Sequence, residues 1–137
     1  MQLIDTSVWI HALRRQPTVT PIQELLKPLT LSGSAAITEW VILELMAGIR
    51  TSEKADTFLR KMENLPRLGF LPENWNQAWT LAGELRKKGI TPSAADCFIS
   101  TIAIGHSVPL VHCDTDFELI AKHSKLRTVD WTAHLRS

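Results

Sequence analysis

QLIDTSVWIHAL, residues 2–13, is the stretch on which the fold turns. Gln2–Ile4 reads as a short apolar strand that ends at Asp5. Thr6 or Ser7 then caps a short helix carried by Val8, Trp9, Ile10, Ala12 and Leu13, with Arg14, Arg15 and Pro17 ending it. The same order returns in VPLVHCDTDFELIAK, residues 108–122: a strand over 108–111, an acidic turn at Asp114, and a helix over 116–122.

Between these two units the alternation continues. Pro21 suits the first turn of a helix that Pro28 closes, Gly33 marks a turn, and 34–37 reads as a strand. Thr38 is the candidate N-cap of a helix over 39–49, and Thr51 or Ser52 of another to about Asn64, with Ala55, Phe58, Leu59 and Met62 at helical spacing. A short strand is expected at 67–71. A long amphipathic helix follows over 72–88, its apolar side made of Trp75, Ala78, Trp79, Ala82 and Leu85. A further helix runs from Thr91-Pro92 to about Gly105, and 126–129 reads as a last strand. Strands that alternate with helices throughout point to an α/β sandwich with a mainly parallel sheet. In such sheets ligands bind beyond the carboxyl ends of the strands, where the strand order reverses, and Asp5 and Asp114 both fall at such ends.

The bulk numbers fit this reading. A chain of 137 residues is expected to form a single domain over 1–137, and a domain near this size buries roughly 68–70% of its unfolded surface. The net charge of +1 removes any bulk electrostatic argument for a polyanionic partner, so basic side chains would have to ring a local site. Cys97 and Cys113 provide neither a disulfide framework nor a CxxC pair and read as reduced buried thiols. No apolar run approaches the ~18 residues of a membrane span. The segment MQLIDTSVWI has no basic stretch or signal-like run. A cytoplasmic protein is the expectation.

Four acids stand in stretches that otherwise read as buried: Asp5, Glu44, Asp96 and Asp114. A carboxylate in an apolar setting is costly unless it is paired or binds a metal. Each has a plainer reading. Asp5 is a good helix N-cap, Asp96 completes a capping-box pattern with Ser93, and Asp114 with Asp116 can form a turn before a helix. Glu44 is harder to explain, because it shares a face with Trp40, Val41, Ala47 and Gly48 at roughly 100° per residue on a helix that is apolar all round and so expected to be buried. Taken jointly, the four suggest one all-oxygen site for a hard divalent cation, Mg²⁺ with Mn²⁺ as a substitute. Such a site hydrolyses a phosphodiester with metal-activated water and needs no covalent intermediate. His112 and Cys113 beside Asp114 raise a zinc alternative, weakened by the lack of a third soft residue nearby. A phosphatase with Asp5 as nucleophile is disfavoured because the second Asp expected two places later is Ser7.

The ordered set Ile-Asp-Thr-Ser at 4–7, Glu-Leu-Met-Ala-Gly at 44–48, Ala-Ala-Asp-Cys-Phe-Ile-Ser-Thr-Ile-Ala at 94–103 and Asp-Thr-Asp-Phe at 114–117 resembles the PIN-domain ribonucleases, within them most the VapC-type toxins of toxin–antitoxin pairs. The resemblance spans almost the whole chain. It implies a three-layer α/β/α sandwich around a parallel sheet of about five strands. It also implies Mg²⁺- or Mn²⁺-dependent endoribonuclease activity, a homodimer, and a VapB-like antitoxin that blocks the site. Carried over by position, Asp5 and Asp96 would be the principal metal ligands, Glu44 and Asp114 would complete the acidic pocket, and Asp116 would support it. Thr6 or Ser7 would orient Asp5 or a metal-bound water by hydrogen bonding. The chain departs from the pattern at His112, where relatives often have Thr or Ser.

Arg14-Arg15, Arg60-Lys61, Arg86-Lys87-Lys88, Lys122, Lys125 and Arg127 are candidate phosphate contacts, and ordinary solvated surface is the plainer reading of each. The five tryptophans could stack on bases, although the helical spacing of Trp75 and Trp79 favours packing. The helix over 52–64 and the one near Ile10 are expected to wall an antitoxin groove. A different class of function stays open: a catalytically silent module of the same fold that binds RNA or a protein.

Overall fold

The computed structural model describes residues 1–14 and 17–135. The order is β1 (Gln2–Ile4), α1 (Thr6–Ala12), α2 (Pro21–Leu31), β2 (Ala35–Ala36), α3 (Glu39–Gly48), α4 (Ser52–Glu63), α5 (Glu73–Lys87), α6 (Ala94–Gly105), β3 (Leu110–His112), α7 (Asp116–Lys122), β4 (Thr128–Asp130) and a 3₁₀ turn at Thr132–Leu135. Arg15 lies outside the described residues.

The sheet is wholly parallel, in the order β2-β1-β3-β4, with Leu3 opposite both Ala36 and Leu110 and Val111 opposite Val129. Leu3, Ile4, Leu110 and Val111 are all fully buried. Successive strand residues face opposite sides, so the central strands are covered on both faces, as a parallel sheet requires. Val8, Ile22, Val41, Ile99, Ile102, Phe117 and Ile120 fill the layers on either side. From β1 the chain goes first to β2 on one flank and later returns to β3 on the other. The strand order therefore reverses between β1 and β3, and the crevice beyond their carboxyl ends lies at Asp5 and at the residues after His112.

Among the described residues the sheet has four strands where about five were expected. The segment over 67–71 contributes only a bridge between Arg67 and Ile37: the Ile37 N–H donates to the Pro66 carbonyl and the Leu68 N–H to the Ile37 carbonyl, each at 2.9 Å. Pro66 has no N–H to extend the ladder, and Phe70 and Leu71 are exposed, so no burial holds the segment extended. Pro28 does not close its helix. It sits inside α2, which runs on to Leu31. The buried stripe of α5 is Asn74, Ala78, Leu81 and Leu85, which leaves Trp75 and Trp79 exposed beside it rather than on the core face. On α3 only Val41 and Leu45 are buried; Leu43 is 61% exposed, so this helix is not enclosed on all sides. Among the described residues, no helix is long and apolar enough to cross a membrane.

Candidate functional site

Asp5 follows β1 directly and is only 4% exposed. It is the N-cap of α1, and its Oδ2 accepts both the backbone N–H (3.0 Å) and the hydroxyl (2.6 Å) of Ser7. The capping role and a place in the acidic crevice coexist, because one carboxylate oxygen takes both bonds. The Ser7 hydroxyl also accepts the Cys113 N–H at 2.9 Å, which ties the start of α1 to the end of β3. Of the two hydroxyls expected to orient Asp5, Ser7 does so. Thr6 instead donates to Glu44 Oε1 at 3.0 Å and so brings α3 to the same end of the sheet.

Asp96 lies in the first turn of α6. Its backbone N–H is capped by the Ser93 hydroxyl at 3.1 Å, while its carboxylate gathers with those of Asp114 and Asp116. One oxygen from each of the three lies within 4.8 Å of the others. Asp114 stands two residues past β3, and its Oδ1 accepts the Asp116 N–H at 3.0 Å. Asp116 belongs to the cluster itself.

The electrostatics record the crowding. Burial, then the charges of Asp5 and Asp114 and more weakly Asp116, push Asp96 up to about 7, against a bond from Ser93. Burial also raises Asp5, with the two Ser7 bonds pulling the other way. Glu44 is raised by partial burial and by the neighbouring charge of Asp5, opposed by Thr6. The expected burial of Glu44 is not met: the residue is exposed, at the rim of the crevice. Like charges packed this closely favour protonation unless a cation joins them.

The donor set consists of carboxylate oxygens, which suits Mg²⁺ or Mn²⁺. The zinc reading loses its nitrogen, because both ring nitrogens of His112 are engaged, one by the Asp114 N–H and the other by Glu118. Burial and the charges of Asp130 and Asp5 push the Cys113 thiol up to about 11, which leaves it a poor ligand and a poor nucleophile. A second group of nearby ligand atoms, His112, Glu118 and Asp130, is explained by the same His112–Glu118 bond. Glu118, on the half-buried side of α7, meets a wholly buried histidine that no local pattern in the sequence places beside it.

A groove of about 630 Å³ lies between the end of α1 and α4, lined by Leu13, Arg14, Ile49, Lys54, Phe58 and Lys61 among others. A shallower depression past Ile10, Leu13 and Gly48 continues from it to Glu44. Lys61 is the one residue of the Arg60-Lys61 pair that faces the larger groove.

Ribonuclease VapC11 of Mycobacterium tuberculosis is 27% identical over 133 residues, covering 96% of this chain and 99% of that protein. Among solved structures, VapBC from Salmonella typhimurium bound to DNA aligns with a TM-score of 0.77 at 20% identity, covering 95% of this chain and 97% of the other. VapBC2 from Rickettsia felis, bound to a promoter DNA fragment, aligns with a TM-score of 0.74 at 23% identity over 95% and 98% of the two chains. The PIN domain model matches residues 3–123, which include most of β1, the whole crossover to β3 and every acid of the crevice. The chain belongs to the PIN domain family.

Proposed function

We propose that this chain is a divalent-metal-dependent endoribonuclease, the toxin of a toxin–antitoxin pair. The observation that carries the reading is convergence: one carboxylate oxygen from each of Asp96, Asp114 and Asp116 lies within 4.8 Å of the others beyond the strand ends, and Asp5 is near enough for its charge to act on both Asp96 and Glu44. Asp5, Asp96, Asp114 and Glu44 would hold Mg²⁺ or Mn²⁺, with Asp116 beside them. The ion, when bound, would ease deprotonation of an attacking water and offset charge on the phosphoryl group. The chain's own part is positional. Ser7 fixes one oxygen of Asp5, Thr6 holds Glu44 at the rim of the crevice, and Asp96 would supply a carboxylate that exchanges its proton for a cation near neutral pH. The product would carry a 5′ phosphate.

The partners follow from the same likeness. VapC11 is named a ribonuclease, and the Salmonella and Rickettsia structures are VapBC complexes. An antitoxin segment would lie in the groove between α1 and α4 and reach the acids past Gly48. The exposed apolar side chains of α3 and α5, Leu43, Trp75 and Trp79, would form a homodimer surface. Two free cysteines suit a reducing, cytoplasmic setting.

The test is cleavage of RNA by the wild type and by Asp5→Asn, with EDTA and Mn²⁺ add-back. The expected result is metal-dependent cleavage in the wild type and a loss of about 100-fold or more in the variant. Cleavage that survives EDTA, or products ending in 2′,3′-cyclic phosphate, would overturn the mechanism. Metal-independent RNA or protein binding without cleavage would favour the silent module.

A further inference from the structure

His112 closes β3 with no exposure to solvent, two residues before Asp114. Its Nδ1 lies 3.1 Å from the Asp114 backbone nitrogen, which can only donate. Nδ1 must therefore supply the lone pair, and the ring hydrogen sits on Nε2, 2.8 Å from Glu118 Oε1. That oxygen also accepts the Thr128 hydroxyl at 2.7 Å, which anchors the carboxylate to β4. Phe117 packs against the imidazole with ring centroids 5.2 Å apart. A connected path runs from the edge strand through Glu118 and His112 to the Asp114 amide. On the far side of Asp114, the Asp116 N–H holds Oδ1. The 114–116 turn is thus gripped from within the core and braced by its own amide.

We propose that His112 is a positioning residue: as acceptor for the Asp114 amide, in a tautomer set by Glu118, it holds the 114–116 turn so that its carboxylates face Asp96. A buried imidazole needs two partners in the core, and here one of them is the backbone of an acid in the crevice. The inference rests on the metal-site reading above, and its test separates the two.

Manganese affinity of the full chain, measured by isothermal titration for wild type, His112→Thr and His112→Val, decides it. Thr and Val have nearly equal volume and leave the same space around Phe117. Only Thr keeps an oxygen able to accept the amide two residues on. The Val variant should bind Mn²⁺ about tenfold more weakly or worse, and the Thr variant within about threefold of wild type. Exchange of the Asp114 amide with solvent should be slow in wild type and Thr and fast in Val. If Thr and Val bind alike and exchange alike, the proposal is overturned while the metal site stands. If wild type binds no Mn²⁺, the metal-site reading falls and takes the proposal with it. Should both substitutions in the core prevent folding, Glu118→Gln and Glu118→Leu repeat the comparison on a half-exposed side chain. Gln still accepts from Nε2 and should retain Mn²⁺ affinity, and Leu should lose it; equal affinities would overturn the proposal.

Discussion

Asp96 is the residue through which pH should act. Its folded value of about 7 stands above the ordinary 3.8, so between those values the folded chain holds a proton that the unfolded chain has released. Metal-free stability should therefore fall as pH climbs from about 4 to 7 and level off above. Thermal melts of wild type and Asp96→Asn check this, the variant losing most of that slope. Metal binding must displace the same proton. Mn²⁺ affinity should accordingly rise about tenfold per pH unit below 7 and reach a plateau above it, as titration across pH 5–8 would record. Asp5→Asn should raise the metal-free melting temperature at pH 7.5, because it removes a desolvated charge while an amide oxygen still accepts from Ser7. Asp5, Asp96 and Asp114 were legible in the sequence because each interrupts an apolar run beside a helix start. Glu44 stands out in the sequence by its apolar neighbours on α3, but those neighbours do not enclose it, since Leu43 faces outward. Composition alone does not distinguish a core face from one awaiting a partner. The link from Thr128 through Glu118 to His112 was not legible, since it depends on α7 and β4 meeting over the end of β3.

Among the elements, two threonines at N-cap positions make a useful contrast. Thr20 closes a reciprocal capping box with Gln23 at the start of α2. Thr38 precedes α3 but makes no side-chain cap, and among the described residues its fully buried hydroxyl has no partner. Thr20→Val should cost about 1 kcal/mol in urea unfolding, whereas Thr38→Val should be neutral or stabilising, since it removes an unsatisfied buried oxygen. Helix existence and type read well from sequence, because caps and apolar spacing are local signals. The face of α5 did not. Trp75 and Trp79 dominate any hydrophobic count, but the core takes Ala78, Leu81 and Leu85 with Asn74, whose amide is spent on Leu71, Gln77 and Thr101. Trp75 stacks on Phe98 and touches Trp40 edge-on, half in and half out of the protein. The expected strand at 67–71 shrank to one bridge for an equally local reason, a proline at its entrance and exposed side chains along it.

At the scale of the molecule, the homodimer proposed above would rest on the outward apolar surface of α3 and α5. Leu43→Glu combined with Trp79→Glu should convert a dimer to a monomer in sedimentation while leaving the far-ultraviolet circular dichroism spectrum in place. The doubly covered parallel sheet was legible from the alternation of elements, and so was the crevice at the strand ends. The strand order was not, because nothing local in residues 34–37 or 108–112 states which flank of β1 each will take. That order has a consequence in time. The strand that completes the crevice beside β1 is β3, more than a hundred residues downstream, and two of the clustered acids follow it. A nascent chain still lacking β3 and the turn after it has no place where the acids can assemble. On the proposed reading, cleavage would therefore have to wait until β3 and the turn beyond it have been made and have paired with β1.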